Sequence, residues 1–248
     1  MKKNHFIRWV FCFLTGLSTS MGWSQGKSKT GFGLQIRHFG YDIGIVNQKN
    51  IQTSRYSMPY KWTAFWFGLM KDPREVRVLN ERLPASRLFV IEKVSHTLCS
   101  KIQFGRIIPI SDRKSQSEIG LQLNTSLQIP IAYSWPMSVW IYQPAAFGDR
   151  YVAVVYNPAV HDINLIGGNA PFTKNSGKGN FFPGLGFALS LQAEWGNFST
   201  ITNTLSVGIS CDQFAKKLPI WYKNEMNRNF FPAVFVNFVT GFESSLKP

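Results

Sequence analysis

The sequence predicts an all-β chain: a single antiparallel, up-and-down transmembrane β-barrel of about eight strands, or ten on a wider count, after a cleaved signal peptide. Three observations predict it. The N-terminus reads as an export signal, several segments alternate apolar and neutral polar residues with period two, and no segment outside the signal approaches the ~20 apolar residues of a spanning helix. The expected domains are a signal peptide at 1–24 and a barrel domain at 25–248.

The signal comes first. Lys2, Lys3 and Arg8 form a basic start, Trp9 to Leu14 a short apolar run extending through Gly16 and Leu17, and Ser18, Ser20, Gly22 and Ser24 a small-residue cleavage zone. Cleavage after Gly22 or Ser24 fits, and Ser24 is favoured. Cys12 sits too early for lipoprotein acylation. Hydrophobic content is 44%, aromatic content 15% and charged content 16%, against about 25% charged in soluble domains. The formal charge is +14; removing Lys2, Lys3 and Arg8 with the signal leaves +11. An exported basic chain has phosphorylated lipid headgroups rather than nucleic acid as its expected counter-surface.

Eight strands are expected in order. Phe32 to Val46 opens with Phe32, Leu34 and Ile36 alternating against Gly33, Gln35 and Arg37. Tyr60 to Met70 has aromatics on both faces. Thr97 to Ile107 follows a charged, proline-marked stretch, Lys71 to Arg87. Ile119 to Ile131 puts Ile119, Leu121, Leu123, Leu127, Ile129 and Ile131 on one face. A turn at Ser134-Trp135-Pro136 leads to a strand from Val139 to Tyr142. A long Gly/Asn/Pro-rich loop then reaches Leu185 to Trp195 and Ile201 to Asp212, a hairpin bent at Gly196-Asn197. Phe231 to Phe242 closes the chain, with Val234, Val236, Phe238, Thr240 and Phe242 on one face. Leu88 to Lys93 and Tyr151 to Tyr156 would raise the count to ten.

The polar faces decide the orientation of this pattern. In the three clean strands, Glu118 to Ile131, Phe187 to Trp195 and Ile201 to Asp212, they carry Gln, Asn, Ser, Thr and Gly, with the charges Glu118, Glu194 and Asp212 near strand ends, which suits a crowded lumen with the apolar face towards lipid. Open edges in hydrocarbon would leave unpaired backbone groups, so the sheet must close. With periplasmic termini, this count puts the bends at Ser134 and Asn197 on the periplasmic side and the loops 47–59, 144–183 and 213–230 outside. Lys71 to Ser95 then becomes a long, charged periplasmic connection.

From Trp66 onward the chain resembles an uncharacterised group of outer-membrane barrel proteins from Bacteroidetes. Leu69-Met70-Lys71-Asp72-Pro73-Arg74-Glu75 is similar to the group's basic His-Pro-Lys-Glu segment, with Asp72 in place of the usual His. Gly167-Gly168-Asn169-Ala170-Pro171-Phe172 and Phe182-Pro183-Gly184-Leu185 match its glycine-rich loop. Leu205 to Gly208 and Phe214 to Ile220 match its penultimate strand and loop; the terminal strand lacks the usual basic ending. The resemblance implies an outer-membrane barrel and brings no activity with it.

Candidate sites are few. His38, His96 and His161 show no metal-ligand spacing, no nucleophile elbow accompanies them, and Ser176 to Gly179 lacks the phosphate-loop pattern. No cofactor or metal is expected, and the expected role is structural or accessory rather than catalytic. The alternatives are a small lipid-modifying enzyme of the outer membrane and a soluble lipocalin-like binder. Arg74 and Glu75, beside the rigid Pro73, are the candidate contact for a periplasmic or outer-membrane protein partner. Lys216, Lys217 and Lys223 are the candidate contacts for outer-membrane lipid phosphates. Cys99 and Cys211 are too few for a disulfide framework; Cys211 falls on the apolar set of its strand.

Overall fold

The computed structural model describes residues 28–49, 60–83, 85–111, 118–144, 150–196 and 201–244. The expected signal peptide at 1–24 and the bend residue Asn197 lie outside the described residues.

Eight strands close one antiparallel barrel: β1 (Ser28–Arg37), β2 (Gly40–Lys49), β3 (Tyr60–Met70), β4 (Ser95–Ser111), β5 (Gly120–Pro136), β6 (Asn180–Gly196), β7 (Ile201–Phe214) and β8 (Phe230–Ser244). Each pairs with its neighbours in sequence, and β1 closes on β8. Following the register around the ring carries Ser28 through Lys49, Lys61, Arg106, Thr125, Leu189, Ile209 and Val234, whose carbonyl accepts from His38 N. The ring therefore closes ten residues along β1 (38 minus 28). With ordinary strand spacings this shear tilts the strands roughly 40° to the barrel axis.

Alternation places the apolar rows outside. Phe32, Leu34 and Ile36 on β1, Leu127, Ile129 and Ile131 on β5, Leu205, Val207 and Ile209 on β7, and Val234, Val236 and Phe238 on β8 are all exposed. The facing rows, including Gln35, Gln103, Gln128, Gln192, Thr204, Ser206 and Asn237, are buried in the lumen. The greasy face is thus the outer one, the reverse of a soluble barrel, whose apolar side chains fill its interior.

One end of the barrel carries both described termini, Ser28 and Ser244, and the connections at 50–59, 112–119 and 197–200. The other end is capped. Its connections are the tight His38-Phe39 turn and the segments 71–94, 137–179 and 215–229. The cap holds a three-stranded sheet of Ile166–Asn169, Ser138–Gln143 and Arg150–Val155, and a two-stranded one of Arg77–Val78 and Phe89–Val90. Phe89, Met137, Val139, Tyr156 and Ile166 form its small core. Backbone bonds tie the three segments together, from Val94 N to Ile220 O and from Met137 N to Val94 O.

These strands correct several expectations. Phe32 to Val46 is not one strand but the β1–β2 hairpin, turning at His38-Phe39 into Gly40. Gly40 has φ +134°, which glycine adopts without strain, and any Cβ there would run into Leu69 O. Val139 to Tyr142 and Tyr151 to Tyr156 form strands of the cap, not of the barrel, and so does Phe89–Val90 within Leu88 to Lys93. Ser134 lies inside β5, whose backbone ladder to β4 runs on to Pro136. The total of eight stands, but the connections between the two misread places are reversed. The 47–59 loop lies at the end with the termini, and Lys71 to Ser95 lies at the capped end.

Candidate functional site

Two clusters of charged side chains converge from distant parts of the chain, one inside the barrel and one in the cap. Lumen-facing parity brings Arg37 of β1, Asp42 of β2, Lys101 of β4 and Asp212 of β7 to one level. Arg37 donates to Asp42 twice, from Nε at 2.6 Å and Nη2 at 2.7 Å, the forked geometry that suits guanidinium and carboxylate. Lys101 Nζ donates to Asp212 Oδ2, and Arg37 Nη1 stands 3.8 Å from the same oxygen. Gln128 Nε2 donates to Asp212 Oδ1 at 2.7 Å, Gln103 Nε2 to Gln128 Oε1, and Trp66 Nε1 to Gln103 Oε1 at 2.9 Å.

All four charged side chains are at most 2% exposed, so the layer is sustained by its neutrality. Two cations face two carboxylates, each hydrogen-bonded, which is what offsets the cost of burying charge. Glycines make the space: a Cβ at Gly68 would collide with Asp42, and one at Gly186 with Asp212. Above this layer, towards the cap, Phe39, Met70, Cys99, Phe214, Leu218, Ile220, Trp221 and Phe231 form an apolar stopper. Below it, Gln35, Trp62, Asn124, Gln192 and Asn237 carry buried polar atoms with no protein partner. Among the described residues a stopper and an ionic strut lie across the lumen at the capped end.

The second cluster ties the β3–β4 connection to the β7–β8 connection. Asp72 accepts from Arg74 N at 3.0 Å, Arg74 Nε at 2.9 Å and Arg74 Nη2 at 2.7 Å, and from Trp221 Nε1 at 3.2 Å. Arg74 Nη2 also donates to Met226 O at 2.9 Å, and its guanidinium lies 5.5 Å from the Trp221 ring centroid. Burial alone would raise the Asp72 carboxyl. The hydrogen bonds from Arg74 and Trp221 outweigh it and pull the pKa down to about 2. The Arg74 guanidinium is pushed up in turn by its hydrogen bond to Asp72. Glu75 Oε1 accepts from Lys93 Nζ at 2.6 Å and from Asp72 N at 3.0 Å.

The structure therefore brings Arg74 and Glu75 together in the capped end, each bonded within the chain. Lys216 and Lys217 are exposed on the β7–β8 connection, and Lys223 pairs with Glu92 at 3.2 Å. Of the segments that carry the sequence resemblance, Leu69 to Glu75 runs from the end of β3 into the β3–β4 connection, Gly167 to Phe172 lies in the cap, Phe214 to Ile220 runs from the end of β7 into the β7–β8 connection, and Phe182 to Leu185 and Leu205 to Gly208 lie in the wall. His38 packs on Phe39, His96 on Trp135 and Phe172, and His161 on Tyr156. Among the described residues no three His, Cys, Asp or Glu side chains are placed to hold a metal ion. Cys99 faces the lumen and Cys211 the outer wall, and both thiols are free.

Sequence reasoning missed the lumen layer. Its legible signals were Arg37, on the polar row opposite Phe32, Leu34 and Ile36, and Lys101, a cation in the middle of a strand on the face opposite Ile102 and Phe104.

No family model matches the chain, and no curated protein does. Among solved structures it is similar to Neisserial surface protein A (NspA), at 9% identity and a TM-score of 0.39, covering 90% of this chain and 98% of that one. It is also similar to Ail, the attachment invasion locus protein of Yersinia pestis, at 4% identity and a TM-score of 0.38, covering 88% and 97%. The complex of Ail with the heparin analogue sucrose octasulfate matches at 7% identity and a TM-score of 0.37, covering 89% and 100%.

Proposed function

We propose that this chain is an integral outer-membrane β-barrel with a structural or accessory role, holding a folded cap at the outer face and doing no catalysis. The observation that carries this reading is the inverted wall. Rows of Phe, Leu, Ile and Val are exposed all around the barrel while Arg37, Asp42, Lys101 and Asp212 are buried in the lumen; the outward charges Lys61 and Arg106 sit near the end with the termini. A soluble protein rarely exposes a contiguous apolar patch beyond a few hundred Å². The same inversion disfavours the lipocalin-like alternative, which needs an apolar interior.

The connections at the end with the termini run to at most ten residues, while three of the four at the other end run to fifteen or more, which matches the usual placement of periplasmic turns and external loops. The cap is therefore the part that meets the surroundings. Its segments 71–94, 137–179 and 215–229 hold six, three and four Lys or Arg against four, two and one Asp or Glu. This net +6 favours an envelope-assembly or interaction role with an anionic partner surface. Membership of the Bacteroidetes barrel group is part of the same proposal, and rests on the sequence similarity of Leu69 to Glu75, Gly167 to Phe172, Phe182 to Leu185, Leu205 to Gly208 and Phe214 to Ile220.

Cell fractionation with external proteolysis tests this. The chain is expected in the outer-membrane fraction after alkaline carbonate washing, with protease added to intact cells cutting in the cap at Lys216–Lys217 or Arg82. Recovery in the soluble periplasmic fraction overturns the reading.

A further inference from the structure

The connection from β5 to β6 does not end over the barrel mouth. Its last part, Pro171 to Gly179, folds down against the outer side of the wall. Trp135 Nε1 donates to Phe172 O at 3.1 Å, Tyr133 Oη donates to Ser176 O, and Gly179 N donates to Tyr133 Oη at 3.1 Å. The Phe172 ring locks the same contact, meeting Trp135 at 4.7 Å and His96 at 4.8 Å, while Tyr133 packs beside it on Phe181 of the neighbouring strand β6 at 4.7 Å. The flap is also tied to the cap sheet by Asn175 Nδ2 to Ser138 Oγ at 2.8 Å.

Strand length sets its height. From Leu121 to Trp135 the outer row of β5 climbs about 35 Å along the axis at roughly 40° tilt, beyond the ~25 Å apolar band of such barrels. Tyr133 and Trp135 therefore stand above the band, at headgroup level; Trp135 is buried beneath Phe172, and the half-buried Tyr133 is the amphipathic ring left at that height. The flap that packs on them carries Lys174 and Lys178 at that height, both exposed. The adjoining strand adds two more cations. Ala215 N bonds to Pro183 O at 2.9 Å, so Lys216 and Lys217 leave the wall at the top of β6, beside Phe182 and Phe181.

Charge completes the argument. No Asp or Glu occurs from Ile163 to Ala193 or from Gln213 to Asn224. The four exposed lysines thus lie on two carboxylate-free segments next to the aromatic upper margin of the wall, with the Lys174 ammonium 5.7 Å from the Trp140 ring centroid of the cap sheet.

We propose that this rim, with Lys174, Lys178, Lys216 and Lys217 around Phe181, is a binding site for the phosphate groups of a phosphorylated glycolipid in the leaflet nearest the cap. The aromatic rings take the upper acyl and sugar region, and the ammonium groups take the phosphates. The site rests on the reading that the wall is embedded in a bilayer, and deepens it by naming the lipid class and the sector.

The test uses the full chain refolded into phosphatidylcholine vesicles, alone or with a minor fraction of bisphosphorylated lipid A or its dephosphorylated form. Native mass spectrometry of the extracted protein reads the retained lipid, and heat-modifiable gel mobility confirms that each variant is folded. Wild type is expected to retain the bisphosphorylated form in preference. The K174Q/K178Q/K216Q/K217Q variant should lose that retention at least about tenfold, given the favourable energy each lysine gains at an anionic surface. A control losing equal charge elsewhere on the cap, K71Q/R77Q/R82Q/R150Q, should keep it. Equal retention in wild type and the lysine variant, or equal loss in both variants, overturns the site while leaving the barrel reading intact. Failure of wild type to insert into phosphatidylcholine alone overturns both.

Discussion

Lys101 Nζ donates to Asp212 Oδ2 across the barrel lumen, from β4 to β7, two strands of the ring separated by β5 and β6. The contact is a strut between opposite walls, and Arg37 and Gln128 brace its acidic end. Removing one partner leaves a buried charge without its counter-ion, which typically costs about 3–5 kcal/mol. Lys101→Met should therefore lower the stability of the folded barrel in micelles by that order, read by urea titration. Adding Asp212→Asn should recover part of the loss, since Asn still accepts from Gln128 and no longer carries charge. A double variant as unstable as the sum of the singles would show that the two side chains do not act as a pair.

Much of the barrel was legible because period-two alternation is a local signal. Leu185 to Trp195, Ile201 to Asp212 and Phe231 to Phe242 lie within observed strands, and Ile119 to Ile131 does from Gly120 on, with the expected face outward. The hairpin at His38-Phe39 was missed because it lacks an Asn-Gly or Asp-Gly turn signature. Its trace was a change of parity, from exposed Phe32, Leu34 and Ile36 to exposed Tyr41, Ile43 and Ile45. Val139 to Tyr142 reads like a wall strand because a small buried core and a lipid-facing wall ask for the same residues. The two errors cancel in the count but invert the side of each connection between them. The lumen layer was out of reach for another reason. Lys101 and Asp212 lie 111 positions apart, and only the register around the closed ring brings them to one level.

The outer wall yields a sharper test of orientation. Leu189 of β6 and Val207 of β7 sit mid-strand on the outer face, Val207 at 52% exposure. Arg at either position should cost about 2–4 kcal/mol if the row lies near a bilayer midplane. Ser206→Asn, on the lumen face next door, should cost less. Refolding yield and urea midpoint in vesicles measure all three. Arg tolerated at both outer positions in an inserted barrel would reverse the assignment of faces.

Gly40 tests the hairpin that the sequence concealed. Its φ of +134° is strained for any L side chain, and a Cβ there meets Leu69 O of β3. Gly40→Ala should cost about 2 kcal/mol or more and act on the β1–β2 turn. Because Arg37 and Asp42 flank that turn, the loss should be accompanied by weaker hydrogen-exchange protection at Asp42. Gly177→Ala is the control, since its Cβ would meet open space, and it should change stability little. Equal behaviour of the two variants would remove the case for a tight turn at His38-Phe39.

The cap should respond to acid through Asp72. Its carboxyl holds a pKa of about 2 in the fold against a reference of 3.8, because Arg74 and Trp221 donate to the ionised form against the opposing effect of burial. A depressed carboxylate contributes stability that is fully present above its unfolded pKa and disappears as pH falls through its folded one. The window here runs from about pH 4 down to about pH 2, and the shift corresponds to about 2 kcal/mol. Asp72 joins the β3–β4 connection to the β7–β8 connection at Trp221, so its protonation should loosen the cap before the barrel. Trp221 emission, isolated by difference against Trp221→Phe, is expected to change in that window while heat-modifiable mobility stays folded. Asp72→Asn should show the loosened signal already at neutral pH and no acid transition. Charge reversal at Arg74, which also holds Met226 O, should mimic it. A Trp221 signal that stays constant from pH 6 to about pH 2 in the wild type would show that Asp72 does not hold the two connections together.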